Sequence, residues 1–413
     1  MKSDVIVLGA GMVGISAALH LLKRGRSVVL VDRRGPAEET SYGNAGLIQR
    51  EGIVPYMFPR DLQVILNYAR NSSSDASYHL SALPHIAPWM FRYWRASTAE
   101  GKAASARAMM PLVQRCIVEH EELMGEAGIT AMIRRTGYLK LFRSADKLAG
   151  ALALSEAERA AFGVNFAPLD PANLEALEPH IRPLFAGAIH MPDPVSVADP
   201  GAVGRAYADL FVRKGGRFVA GDARSLEQTS GGWAVATQEG PWTAGAAVLA
   251  LGPWSDDVFR PLGYALPLGW KRGYHMHYRA QGNATLQRPV IDAENGFLMT
   301  PMTQGIRLTT GVEFALRDAP KTPVQLARAE PIARGMFPLG DRVDAEPWLG
   351  RRPALPDMLP VVGLAPRHQG LWFSFGHHHL GFTLGPVTGR LLAEMMTNET
   401  PLADPSPYRA DRF

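Results

Sequence analysis

The sequence predicts an α/β fold: a Rossmann-like nucleotide-binding domain assembled from discontinuous segments, with an inserted second domain of helices and a mixed or antiparallel sheet. Three observations carry this. Residues 4–32, DVIVLGAGMVGISAALHLLKRGRSVVLVD, read as strand, glycine-rich turn, helix, and a second strand closed by an acid. Far downstream, Ala246 to Gly252 is another wholly apolar run closed by glycine and resembles the first strand. Between and beyond these lie long helical patterns and a strand-rich section from Trp270 to Phe314.

Val5-Ile6-Val7-Leu8 is the short continuous apolar run of a parallel strand covered on both faces. It leads into Gly9-Ala10-Gly11-Met12-Val13-Gly14. Gly9 permits the tight turn, Gly11 lets backbone approach a pyrophosphate, and Gly14 with Ala17 allows close packing of helix on strand. The helix N-terminus at Met12 and Val13 offers unpaired N–H groups and a positive dipole end to phosphate. The second run, Val28 to Val31, ends in Asp32, 18 residues after Gly14 and placed to accept from ribose hydroxyls, with Arg33 beside it. An ordinary glycine-rich turn would need neither flanking strand nor the terminal acid. Glu39 to Ile48 follows, and its small residues with hydroxyl and amide groups (Ser41, Asn44, Ala45, Gly46, Leu47) suit a loop lying along a second ligand segment. No second glycine fingerprint occurs between Gly35 and Phe413, as enzymes passing electrons from NAD(P)H to flavin usually have. FAD, long enough to use both ends of that loop, is favoured over NAD alone.

Residues 58–127 are mostly helical in pattern, broken by the polar loop 71–75. Residues 136–142 alternate like a strand, 145–161 and 171–177 read as helices, and 187–191 as a strand. Asp199-Pro200 starts a helix running to about Lys214, acid at the cap and proline in the first turn. Short strands occupy 218–235, and the last section holds a strand at 371–373, a glycine-histidine loop and a terminal helix. The expected division is residues 1–50, 186–265 and 345–413 for the nucleotide domain, and 51–185 with 266–344 for the substrate domain. A ligand crevice is expected at their junction.

Hydrophobic content of 46% and charged content of 20% describe a soluble globular protein. The net charge of +4 comes from basic residues scattered in ones and twos, which argues against nucleic acid. The single cysteine excludes an internal disulfide and a cysteine-held cluster; Cys116, in an apolar helical stretch, reads as buried filler in a reducing compartment. Met1-Lys2-Ser3 runs directly into the first strand, so no signal peptide is expected, and no window reaches 18 apolar residues. A cytoplasmic location follows as the expectation. The aromatic and apolar residues from Tyr78 to Trp94, near Arg92 and Arg95, read as a helix packed on the core in preference to a surface docked on the inner face of the cytoplasmic membrane.

Several widely spaced segments together resemble the D-amino-acid oxidase and glycine oxidase superfamily of FAD-dependent oxidoreductases, most nearly the bacterial D-amino acid dehydrogenases of small-subunit type. They are Gly9–Gly14, Glu39-Thr40-Ser41 through Asn44-Ala45-Gly46, Val248 to Ser255 and Lys271-Arg272-Gly273-Tyr274. Further on come Gly350-Arg351-Arg352-Pro353 with Pro356-Asp357 and Pro360-Val361-Val362-Gly363, and Gly376-His377 with Leu380-Gly381-Phe382-Thr383. The likeness spans residues 5 to 390 and is loose between about 55 and 135. It implies dehydrogenation of D-amino acids, or of cyclic imino acids such as D-proline and D-hydroxyproline, by hydride transfer from Cα to flavin N5, with electrons leaving to a quinone or another carrier. The flavin is expected to be non-covalent, since Cys116 does not stand at the attachment position of the sarcosine-oxidase relatives. Oxidation of an N-alkyl glycine, an opine or another secondary amine is the alternative within the same fold. A flavin-holding subunit, active only with a partner chain, is the alternative of another class; peripheral membrane association and oligomerisation stand open.

Residue by residue, the resemblance makes Arg352 the clamp for the substrate carboxylate, a group its planar fork suits bidentately. Its neighbour Arg351 faces the other side of the strand and reads as a surface ion pair. Tyr274 and His275 fall on a strand bordering the substrate chamber, Tyr274 either bonding the carboxylate beside Arg352 or serving as a core tyrosine. Gly376, Leu380, Gly381, Phe382 and Thr383 match the segment reaching the flavin pyrimidine end, where a helix starting near Leu384 would favour negative charge at N1/O2. His377 matches a family histidine; His378 and His379 replace small residues and are candidates to line the substrate cavity. Three consecutive histidines without a nearby carboxylate do not suit a metal, and none is expected. Gly252 and Trp254 belong to the cofactor motif, Ala223 to a strand position contacting adenine through its backbone, and Tyr56, in the loop 52–57, is a candidate lid.

Overall fold

In a computed structural model, which describes residues 1–413, the opening segment forms β1 (Lys2–Leu8), α1 (Met12–Lys23) and β2 (Val28–Asp32). β1 pairs in parallel with β2, from Val5 opposite Val28 to Leu8 opposite Val31, and with the strand Gly240–Leu249 on its other side. Arg217–Ala220 extends the sheet beyond β2, and Leu371–Phe375 joins through the far half of Gly240–Leu249, all in parallel. The unbroken apolar runs are explained by cover on both faces. Val5, Val7 and Val248 enter one core with Ala17, Leu21 and Leu384, while Ile6, Leu8 and Leu249 enter another with Trp233 and Phe373. The last helix, Gly381–Met396, crosses α1 so closely that a Cβ on Gly389 would lie 2.7 Å from the Ala17 nitrogen.

Between β2 and the second domain come α2 (Leu62–Ala69), α3 (Leu83–Ala96) and α4 (Ala99–Ala127). α4 was expected in the substrate domain, but Met109, Leu112, Val113 and Cys116 on it join the core beneath α1 and the last helix. Cys116 is fully buried there, and burial pushes its thiol pKa up.

The second sheet is mixed. Its centre is the long strand Gly269–Ala280, antiparallel to Gly305–Thr309 and to Trp348–Ala354; farther out, Val290–Asp292 runs parallel to Tyr138–Phe142. Two expected boundaries are corrected here. Gly187–Met191 pairs with Tyr138–Phe142, and Trp348–Ala354 with the long strand, so both belong to the substrate sheet. The chain rejoins the parallel sheet at Arg217–Ala220, at Gly240–Leu249 and at Leu371–Phe375. An apolar strand buried in either sheet has the same residue pattern, so periodicity alone does not choose between them.

The expectation that residues 78–94 pack on the core is also corrected. On α3 only Tyr93 is fully buried, and Leu62, Leu66, Leu80 and Phe91 are each more than half exposed. Apolar residues ring this helix on more than one side. One side (Ile86, Met90 and Tyr93) roofs a cavity, which leaves Phe91 and Trp94 facing outward.

Candidate active site

A cavity of about 1030 Å³ runs between the two sheets, from Asp32 and Ala223 past Ser41 to Arg352 and Tyr93. Its nucleotide end is built by the glycine turn. Gly9 has φ +105°, and a Cβ there would stand 2.5 Å from the Ala250 carbonyl oxygen; a Cβ on Gly14 would stand 1.8 Å from the Gly9 oxygen. The N-cap residue of α1, Gly11, has no side chain and no acid stands in the first turn, so the positive end of the helix suits an anion. The Ser41 hydroxyl accepts from the Met12 N–H at 2.9 Å and brings the following loop across that end. Asp32 accepts from the Ala10 N–H at 2.6 Å and from the Arg34 N–H at 3.1 Å, which fixes its carboxylate at the tip of β2. Arg33 lies over the Trp254 ring at 4.8 Å. Ala223, expected on an opening strand, lies in a short helical turn, Ala223–Ser225, because the Asp222 side chain accepts from the Arg224 N–H.

The loop after Ser41 is held by contacts that sequence reasoning missed. Arg307, buried, donates to the carbonyls of Tyr42 and Asn44, and the Asn44 side chain accepts from the Gly46 N–H at 2.8 Å. Leu47 pairs with Ser196 in a small separate sheet. Of the residues expected to meet the cofactor, Gly9, Gly11, Met12, Val13, Asp32, Arg33, Ser41, Asn44, Ala45, Leu47, Ala223, Gly252, Trp254, Gly381 and Phe382 line the cavity. Gly14, Gly46, Gly376, Leu380 and Thr383 stand behind its wall. Thr383 ties two segments together, accepting from the Gln49 N–H and donating to the Leu47 carbonyl, and Leu380 is core. The last helix begins at Gly381, slightly earlier than expected. A glycine turn without Cβ atoms, a helix N-terminus at the cavity, an acid at the tip of β2 and a trough continuing past Asn44 fit FAD.

The substrate end rests on strand parity. Lys271, Gly273 and His275 share one face of the long strand; Arg272 and Tyr274 share the other. Arg352 stands directly opposite Lys271 and therefore on the cavity face. Of its two readings Tyr274 takes that of a core tyrosine and not of a partner to the substrate carboxylate, since its side chain lies on the face opposite Arg352. The Tyr274 hydroxyl donates to Glu313 at 3.0 Å and accepts from the Thr322 N–H, inside a buried group in which Arg272 pairs with Glu313 at 2.8 Å.

Arg352 has no carboxylate partner. It donates to the Gly311 carbonyl at 2.8 Å, and burial pushes its pKa down to about 10. A Cβ on Gly273 would come 2.6 Å from its guanidinium, so glycine there makes room for the fork. Arg351 instead donates to the Arg317 carbonyl, with Asp318 at 3.8 Å.

Lys271 was not singled out by the sequence reading. Its Nζ donates to the Tyr93 hydroxyl at 2.9 Å and touches the Met358 sulfur at 3.4 Å, again with no carboxylate. Burial, and then the charge on Arg352, push its pKa down to about 7.

His377 and His378 are buried and His379 is half-buried, which disfavours the charged form of all three. His377 sits 3.1 Å from the Thr388 hydroxyl with its pKa pushed down to about 3 by burial. The Nδ1 atoms of His378 and His379 lie 3.1 Å apart, and the pKa of His379 is likewise pushed down to about 3 by burial and then by Arg352 and Lys271. Tyr56, exposed, stands at the mouth with its ring 5.4 Å from His379. His275 stacks on Trp348 at 4.8 Å, and burial pushes its pKa down to about 2. No three His, Cys, Asp or Glu side chains converge on a point that could hold a metal.

Comparison with known proteins agrees with this geometry. Residues 4–395 match the model of the DAO family, described as FAD dependent oxidoreductase. A protein of Bradyrhizobium diazoefficiens named D-amino-acid oxidase is 28% identical over 99% of this chain and 98% of its own length. A D-amino acid dehydrogenase of Chromohalobacter salexigens is 29% identical over 99% of both chains. Among solved structures, glycine oxidase from Geobacillus kaustophilus superposes with a TM-score of 0.75 at 22% identity, covering 100% of this chain and 99% of that one.

Proposed function

This chain belongs to the DAO family of FAD-dependent oxidoreductases, and from that premise we propose that it dehydrogenates a D-amino acid, or a cyclic imino acid of the D-proline type, at Cα. The observation that carries the reading is Arg352: a half-buried guanidinium without a carboxylate partner, on the cavity face of the substrate sheet. An unpaired, partly buried cation is costly, and a substrate carboxylate is the group that relieves it. The Gly311 carbonyl orients the fork from behind, leaving further guanidinium N–H groups for the ligand. Met90, Phe297 and Leu298 line the cavity and exclude water. Gly381 and Phe382 bring the positive end of the last helix to its wall, where it favours negative charge. FAD, when bound, supplies the hydride acceptor. Loss of hydride from the neutral amine leaves an iminium; with water an acyclic one gives the 2-oxo acid and ammonium, and a cyclic one opens to an amino 2-oxo acid. Anaerobic mixing of the flavin-loaded protein with a panel of D-amino and imino acids should bleach the oxidised flavin band with at least one of them. Failure with every member removes the reading.

We infer that the electrons leave at a bilayer surface, to a quinone. No helix is long and apolar enough to cross a membrane. The exposed apolar face of α2 and α3 is fringed by Arg60, Arg92 and Arg95, and Ile65, Leu83 and Ile86 carry it into the cavity mouth. Apolar surface beside arginines suits anionic lipid. The protein is expected to sediment with anionic vesicles, and the double variant Leu66→Glu with Phe91→Glu to stay in the supernatant. Equal behaviour of the two would sink the inference.

A further inference from the structure

Two cations in the substrate chamber lack a counter-charge, while an α-carboxylate can supply only one. Elsewhere, buried arginines are matched: Arg272 with Glu313 at 2.8 Å and Arg288 with Glu178 at 3.0 Å. Arg307, also without a carboxylate, is satisfied by the Tyr42 and Asn44 carbonyls and by His277. Lys271 and Arg352 differ: they occupy opposed positions on neighbouring strands, both line the same cavity, and neither meets an acid. Their heads diverge. The Arg352 fork leans over Gly273 towards Gly311, whereas the Lys271 chain runs to Tyr93 and Met358 beneath α3. A molecule gripped by Arg352 through one carboxylate therefore has a second cationic point some distance along its length. The walls between offer no further cation, since burial pushes the pKa values of His378 and His379 down.

We propose that the substrate is dicarboxylic: an acidic amino acid of the D-glutamate type, whose side-chain carboxylate seats on the Lys271 ammonium beside the Tyr93 hydroxyl. This rests on the amine-dehydrogenation reading for the chemistry at Cα, which is unchanged. Lys271 is thus a specificity-determining residue. Its second carboxylate partner supplies the counter-charge that the protein withholds, and a neutral side chain of the same length leaves the ammonium unpaired.

The test uses the flavin-loaded protein and first needs no turnover. Glutarate and butyrate, which carry no amine, are titrated separately while the flavin absorption band is followed. Glutarate is expected to bind at least about tenfold tighter than butyrate, and Lys271→Met to abolish the difference. Lys271→Gln, which keeps a donor but no charge, should behave like Lys271→Met. The kcat/KM ratio of D-glutamate to D-glutamine should fall with the same substitutions. Glutarate no tighter than butyrate in the unmodified protein overturns the proposal, as does a preference that survives both substitutions. Bleaching by neutral D-amino acids without preference for acidic ones overturns it while the dehydrogenase reading stands. Tight glutarate binding lost on substitution at Lys271, with no amino acid able to bleach the flavin, supports the second anion site and removes the dehydrogenase reading instead.

Discussion

Arg352→Leu is expected to lower kcat/KM for every amino acid substrate by about a thousandfold while the flavin stays bound. Truncating one partner of a buried, hydrogen-bonded charge pair costs about 2–5 kcal/mol, and about 4 kcal/mol is a factor of a thousand in rate. The loss should be large because no second guanidinium fork can take its place: Arg351 is turned to Asp318, and Lys271 is drawn away to the Tyr93 hydroxyl. The substitution also leaves the Gly311 carbonyl without its donor, a cost offset by removing an unpaired, partly buried cation. Arg352→Lys keeps the charge without the planar fork and should recover only part of the rate. Rapid-mixing reduction of the flavin checks this directly. Reduction at an undiminished rate in Arg352→Leu would show that the carboxylate is held elsewhere.

Lys271→Met is expected to make the substrate-free protein more stable at neutral pH by about 2–4 kcal/mol. The sign follows from linkage. Burial, then Arg352, hold the folded pKa near about 7, whereas the unfolded chain keeps an ordinary lysine near about 10.4. Between these values the unfolded state binds the extra proton, so the native protein gains stability as pH rises from about 7 to about 10. Below about 7 both states are protonated and the penalty is constant and largest. The variant lacks this component, so its advantage in unfolding free energy should be greatest at and below neutrality and shrink towards pH 10. Melting curves of the two proteins across that range measure it, and curves that keep one constant separation would refute the assignment of Lys271 as the cause.

The opening βαβ unit was legible because four requirements coincide in a short span: two doubly buried strands, the glycine turn, the helix and Asp32. The arginine pair was legible too, because alternation in a strand forces Arg351 and Arg352 apart and the structure gives only Arg351 a nearby acid. The same alternation, applied to the long strand, would have set Tyr274 on the face opposite Arg352; that register depends on pairing with residues far away in sequence, which no local pattern states. Lys271 was missed for a related reason, since a lysine is ordinarily solvated and only the roof supplied by α3 buries it. Arg307 gives no signal at all in its own neighbourhood, because its acceptors are the backbone carbonyls of a loop some 260 positions earlier. For α3, helical periodicity promised a packing partner, but the partner on one side is a cavity.

The order of strands has a further consequence for biosynthesis. Leu371–Phe375 joins the central parallel sheet from near the end of the chain, and α1 is covered by the last helix, so the earliest-made helix packs against one made about 360 residues later. A nascent chain still missing those segments leaves one flank of β1's partner strand and a wall of α1 uncovered. Such distant pairings slow folding, because the intervening chain must close on itself before the contacts that reward closure can form.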